Sequence, residues 1–125
     1  MIDRGREDGG QAAVELVLVL PLVLLVALAA LQVALVARDQ VLVVHAAREG
    51  ARQAALGADD AAAAEAAAGA TTLEPGRLRL TLHRPDGGQV VRARAAYTSS
   101  TDVPLVGSLV GDVLLAGTVT MRSER

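Results

Sequence analysis

The sequence predicts an α+β protein: a long N-terminal transmembrane helix continuing into an amphipathic helix, then a short alanine-rich helix and a small three-stranded antiparallel sheet. Three observations predict it. From Leu16 to Ala37 run 22 residues with no charge and one strongly polar side chain, Gln32. From Arg38 to Leu56 apolar residues recur at spacings of three and four, the period of a helix. After "TTLEPG" the spacing falls to two, the period of a strand with one buried face.

At about 1.5 Å of rise per residue, the apolar run reaches roughly 33 Å, the thickness of a bilayer's hydrocarbon core. A cleaved signal peptide is the competing reading, with small-x-small sites at Ala27–Ala29 and Leu35–Ala37. The run exceeds the roughly 7–15 residues of an ordinary signal core, and acids flank the two front arginines, Arg4 and Arg6. Pro21 near the front removes one hydrogen bond, which membrane helices tolerate. Basic residues give no orientation, because Arg4 and Arg6 stand on one side and Arg38, Arg48 and Arg52 on the other.

The segment "RDQVLVVHAAREGARQAAL" extends the same helix, with Val41, Val44, Ala47, Ala51 and Ala55 on one face and Arg48, Glu49 and Arg52 on others. Gly57 is its expected stop. "ADDAAAAEAAAGA" reads as a second helix opened by Asp59 or Asp60 and closed by Gly69, with a disordered alanine tether as the alternative. "RLRLTLH" places Leu78, Leu80 and Leu82 opposite Arg77, Arg79 and Thr81, "RPDGG" turns the chain, and "QVVRARAAY" returns with Val91, Ala93, Ala95 and Tyr97 opposite Arg92 and Arg94. "VLLAGTVTMRSE" supplies a third strand with Val113, Leu115, Val119 and Met121 to one side. The expected strands lie near 77–83, 89–97 and 113–122, and the two helical segments are the obvious covers for their apolar face.

Composition bounds the function. The chain has 125 residues, room for one small domain, and Tyr97 is its only aromatic residue among Phe, Trp and Tyr. A core of Leu, Val and Ala buries little area per residue, so the head is expected to lean on partners. There is no cysteine, which excludes disulfides and CxxC metal or redox sites. All 12 basic residues are arginine. From Arg38 onward ten arginines face ten acids, a balance that points to no nucleic acid and no anionic surface.

No constellation for chemistry emerges. His45 and Glu49 stand four apart, but no HExxH motif or cysteine joins them, and the other histidine, His83, falls on a strand, so the pair reads as a solvated face. Ser99, Ser100 and Ser108 lack a GxSxG setting, and Gly107 and Gly111 fit GxxxG only within a loop. No catalytic residue, metal ligand, cofactor or small-molecule substrate is expected, and the protein reads as a non-enzyme.

One acid stands out. Glu15 sits at the mouth of the apolar run, where a carboxylate costs up to about 2.5–3.5 kcal/mol at the bilayer centre and less near its edge. A plain reading leaves it at the interface, favoured by the helix dipole. A sharper one begins at Gly10, which precedes Glu15 by five residues. This resembles the processing signal of prepilins, in which a peptidase cuts after a glycine on the cytoplasmic side and the fifth residue of the mature chain is glutamate. Cutting after Gly10 makes Gln11 the new terminus; a cut after Gly9 would place Glu15 sixth.

"GGQAAVELVLVLPLVLLVALAALQ", "AAREGARQAAL" and the closing "AGTVTMRSE" together resemble the TadE-like family of the tight adherence (Flp) pilus system, whose members are minor pilins or pseudopilins. The resemblance implies a pilin-like fold, a cytoplasmic leader at 1–10, a transmembrane helix at 11–37, its extramembrane continuation at 38–57 and a head at 58–125. It implies a single-pass cell-membrane protein with the N-terminus cytoplasmic and the head outside. The implied partners are membrane lipid, a prepilin peptidase and other pilins or pseudopilins of the Tad system, with Glu15 as the assembly residue. Incorporation into the filament, priming of its assembly and service in a related secretion apparatus are all compatible with the resemblance. The alternative is an unprocessed single-pass protein whose head binds another envelope component. Gln32 and the small residues Ala27, Ala29, Ala30 and Ala34 suit close helix contacts. The alanine helix and the loop from Thr98 to Asp112 are expected to be the head's contact surfaces, because they look least committed to a core.

Overall fold

The computed structural model describes residues 4–124 and has the predicted α+β architecture. Helix α1 spans Arg4–Ala55 without a break, passing through Pro21, and α2 spans Asp60–Gly69. Strands β1 (Leu78–His83), β2 (Val90–Ser99) and β3 (Val113–Arg122) form one antiparallel sheet in the order β1-β2-β3, and a one-turn helix, α3 (Gly107–Val110), lies in the β2–β3 connection. Residues 1–3 of the expected leader lie outside the described residues.

Each boundary has a local cause. α1 stops at Ala55 because Gly57 adopts φ 99°, a left-handed conformation that costs glycine little. Asp59 then caps α2, its side chain accepting a 2.7 Å hydrogen bond from the Ala62 N–H. Glu74-Pro75-Gly76 turns the chain into β1, and a turn at Asp86–Gly88 joins β1 to β2.

The sheet's faces follow the alternation in the sequence. Leu78 pairs with Tyr97, Leu80 with Ala95 and Leu82 with Ala93, while Ala93 faces Val119 and Tyr97 faces Leu115 on the other side. Val91, Ala93, Ala95, Tyr97 and Ser99 are buried, and Arg92 and Arg94 are on the wet face.

The sheet lies on the second half of α1. The helix face it meets is built from Val43, Ala46, Ala47, Gly50, Ala51, Ala54 and Ala55, all buried. This corrects the expected face by a fraction of a turn: Val41 is exposed, and Val43 takes the central place. Four consecutive apolar residues, Val41–Val44, leave the phase of the helix undetermined by periodicity. The sheet chooses the phase that presents the smallest side chains.

Small residues matter because the two backbones come close. A β-carbon on Gly117 would fall 3.0 Å from Val44 Cγ2 and 3.2 Å from Val44 Cα, so the helix backbone itself closes the space. One on Gly50 would meet Leu80 Cδ2 at 2.6 Å, a side-chain end that can move. Hydrogen bonds fix the direction of β3: Gln40 Nε2 donates to Ala116 O at 3.1 Å, and Glu124 N donates to Ala55 O at 3.1 Å. β3 therefore runs alongside α1 in the same direction, its start near the apolar run and its end near the helix C-terminus.

The alanine helix is a core element, as expected of a cover for the head, so only its outer face is left as a contact surface. Ala63 and Ala67 are fully buried, and α2 packs on α1. Tyr97, 7% exposed, fills the volume between Leu73, Ala47 and Leu115, and its hydroxyl accepts from the Glu74 N–H at 3.5 Å.

The Gly117–Val44 approach gives a direct test. Gly117→Val is expected to destabilise the head by about 1–3 kcal/mol through overpacking, whereas Gly76→Ala, in open space in a turn, stays within about 0.5 kcal/mol. Thermal unfolding followed by circular dichroism in a mild detergent measures both.

Candidate assembly and processing segment

Gly10, Gln11 and Glu15 all lie on the front of α1 and all are exposed. Gln11 and Glu15 are one helical turn apart on the same face, about 6 Å along the axis. Nothing lies within 4 Å of a β-carbon built on Gly9 or Gly10. The Gly10–Gln11 bond is thus open on all sides, in a helix interrupted by two residues that each cost about 0.5–1 kcal/mol relative to alanine. The helix is locally weakened there. Among the described residues no side chain hydrogen-bonds to Glu15 or pairs with it.

Behind this front the helix is bare. Val14 and Leu16–Leu20 are 49–72% exposed, and the side chains from Gln11 through Leu31 are uncovered apart from half-buried Leu28. Among the described residues α1 is the single helix long and apolar enough to cross a membrane. Such a surface marks a membrane-anchored protein. Ala27, Ala29, Ala30 and Ala34 lie exposed along it.

Gln32 is placed differently from the lateral helix contact expected of it. The head reaches down to it, leaving it 5% exposed, with Oε1 buried and without a hydrogen-bond partner. Just above, Ser99 Oγ donates to Asp39 Oδ2 at 2.7 Å, tying the end of β2 to the helix. Neither residue announces this contact in the sequence, since the partners stand 60 positions apart.

The other polar residues are structural. The Arg52 guanidinium donates to both Glu49 oxygens at 3.2 and 3.0 Å and Gln53 Nε2 adds a 3.0 Å bond, so the Glu49 carboxyl is held below the usual carboxylate range. Glu49 is engaged by these donors, and His45 beside it is exposed. Among the described residues no group of three or more His, Cys, Asp or Glu is placed to hold a metal.

Residues 10–52 match the family model described as TadE-like protein. This segment is similar to that family. The match opens on Gly10, takes in Glu15 and the bare apolar stretch, and closes on Arg52 in the half of α1 that carries the sheet. It spans 43 of the 125 residues, and the closing "AGTVTMRSE" lies beyond it. No curated protein and no solved structure matches the chain.

The weakness at the two glycines is measurable. Gly9→Ala or Gly10→Ala is expected to stabilise the helix front by up to about 1 kcal/mol, which slows amide hydrogen exchange across Gln11–Val14 by up to about fivefold. Exchange in α2 stays unchanged.

Proposed function

We propose that this chain is a TadE-like minor pilin or pseudopilin, cleaved by a prepilin peptidase after Gly10 and used in assembling a Tad-type pilus or a related secretion apparatus. The observation that carries the reading is the spacing at the helix front. Gly10, beside Gly9 and uncrowded by other side chains, precedes Glu15 by five residues, at the edge of a bare apolar helix and at the start of the segment that matches the TadE-like family.

The physics of the site gives Glu15 its role. Cleavage creates an α-amine on Gln11, one turn from Glu15 in the same chain and free to reach Glu15 of a neighbour when helices pack side by side. A carboxylate drawn into an apolar environment alone is costly, and an ammonium partner offsets that cost only when the two meet at hydrogen-bonding distance. Assembly and charge neutralisation are then one event. The uncleaved chain has no amine there, so it inserts in the membrane without becoming competent to assemble. The partners on this reading are membrane lipid, the peptidase and other pilins of the system, with the N-terminus cytoplasmic and the head outside.

Mass spectrometry of the membrane-extracted protein, from cells with and without the peptidase, tests the reading. A peptidase-dependent start at Gln11 is expected. A leader retained in both strains would favour an unprocessed single-pass protein whose head binds another envelope component. Glu15→Gln, which keeps shape and removes charge, is expected to leave cleavage and head folding intact while lowering incorporation into pilin assemblies several-fold, read by crosslinking in membranes.

A further inference from the structure

The β2–β3 connection ends in an apolar tip that the head's own core does not require. Between Asp102 and Asp112, both exposed, no residue is charged. Val103 and Val106 turn inward and are buried, while Leu105, Leu109 and Val110 are 65%, 81% and 54% exposed. Three large apolar side chains held in water on a four-residue helix and its flank make a costly surface.

The tip also lies at a definite depth. β3 begins at its base and runs up alongside α1, so the tip is the end of the head closest to the bare helix. Val106, Val110 and Val113 wall an apolar groove of about 540 Å³ against α1, reaching Val36, Val33 and Ala29. Ala29 is eight residues inside the end of the apolar run at Ala37, about 12 Å along the axis.

The tip is built to leave water. Its amides bond within it: Gly107 N donates to Val103 O at 2.8 Å, Leu109 N and Val110 N to Val106 O at 3.1 Å, and Gly111 N to Gly107 O at 3.1 Å. Ser108 Oγ donates to Leu105 O at 3.0 Å, and Thr101 Oγ1 closes the neck on Gly111 O. Leu105 holds φ 66°, a left-handed conformation unfavourable for leucine, and its side chain is outward.

We propose that residues 103–111 form a membrane foot, with Leu105, Leu109 and Val110 seated among the acyl chains of the leaflet on the head's side. The proposal rests on the membrane-anchored reading of α1. Lipid is the occupant because the apolar surface of the foot is continuous with the lipid-facing helix, carries no charge and sits level with the upper part of the apolar run. Its charged ends, Asp102 and Asp112, mark where water begins. The depth needed, roughly 5–10 Å, is that of interfacial apolar segments. The unpaired Gln32 Oε1 on the groove wall is the one feature that would favour a protein donor instead. The foot would fix the tilt and rotation of the head on its helix, which a single span alone leaves free.

The chain has no cysteine, so single labels are clean. The full chain carrying Leu109→Cys, Leu22→Cys or Thr118→Cys, labelled with an environment-sensitive fluorophore, is reconstituted at high lipid-to-protein ratio in phosphatidylcholine vesicles with nitroxide-bearing acyl chains. Quenching at position 109 comparable with that at position 22, and several-fold above exposed position 118, is expected. Val110→Cys serves as a second foot position should the first variant fold poorly. Position 22 quenched with 109 and 110 unquenched and open to an aqueous reductant overturns the foot alone. Position 22 unquenched overturns the anchoring on which it rests. A foot shielded but unquenched, with shielding lost on dilution, assigns the surface to a protein partner and overturns the lipid proposal.

Discussion

The structure depends on one close approach: a sheet laid against the backbone of a helix whose contact face is almost entirely alanine and glycine. With a single aromatic ring available, the head cannot fill a wide gap between layers. It removes the gap instead. Gly117 sits against the Val44 backbone, Gly50 admits Leu80, and Ala46, Ala47, Ala51 and Ala54 let the strands come down on α1. Area buried per residue is small, but interiors close-packed in this way forfeit little dispersion energy to voids.

That constraint explains why one helix serves two media. The half of α1 inside the head is small and buried, while the half before Gln32 is large, branched and bare. A rod shared by both makes the head rigidly continuous with whatever the apolar half binds. Movement or packing of the span, in lipid or beside another helix, is transmitted through helix hydrogen bonds rather than through a flexible linker. Asp39 and Ser99, with Gln40 and Ala116, fasten the sheet to the rod just where the bare stretch ends.

Much of this was legible in the sequence, for identifiable reasons. The strands were visible because Leu78, Leu80 and Leu82 alternate strictly with polar residues, and the start of α2 at Asp59 or Asp60 because acids precede an alanine run; the structure makes Asp59 the cap. The phase of the second half of α1 was not: Val41–Val44 is apolar at every position, and only the approach of Gly117 selects Val43 over Val41. Which face of the alanine helix is buried was hidden likewise, since Ala63 and Ala67 look no different from their exposed neighbours Ala61 and Ala62. Gln32 and the tip from Val103 to Gly111 carry no period, and their places are set by contacts with residues some 70 to 80 positions away. At the helix front Gly10, Gln11 and Glu15 could be singled out by spacing, because their expected role depends on local order in the chain.

If the close approach to α1 is what holds the head together, the sheet cannot stand without the second half of that helix. Chemical denaturation of residues 58–125, compared with residues 38–125, measures this most directly. The longer fragment should unfold cooperatively, and the shorter should show no cooperative transition and no sheet signal. A cooperative transition of similar midpoint in residues 58–125 alone would show that the sheet and α2 form an independent domain, to which the helix is merely attached.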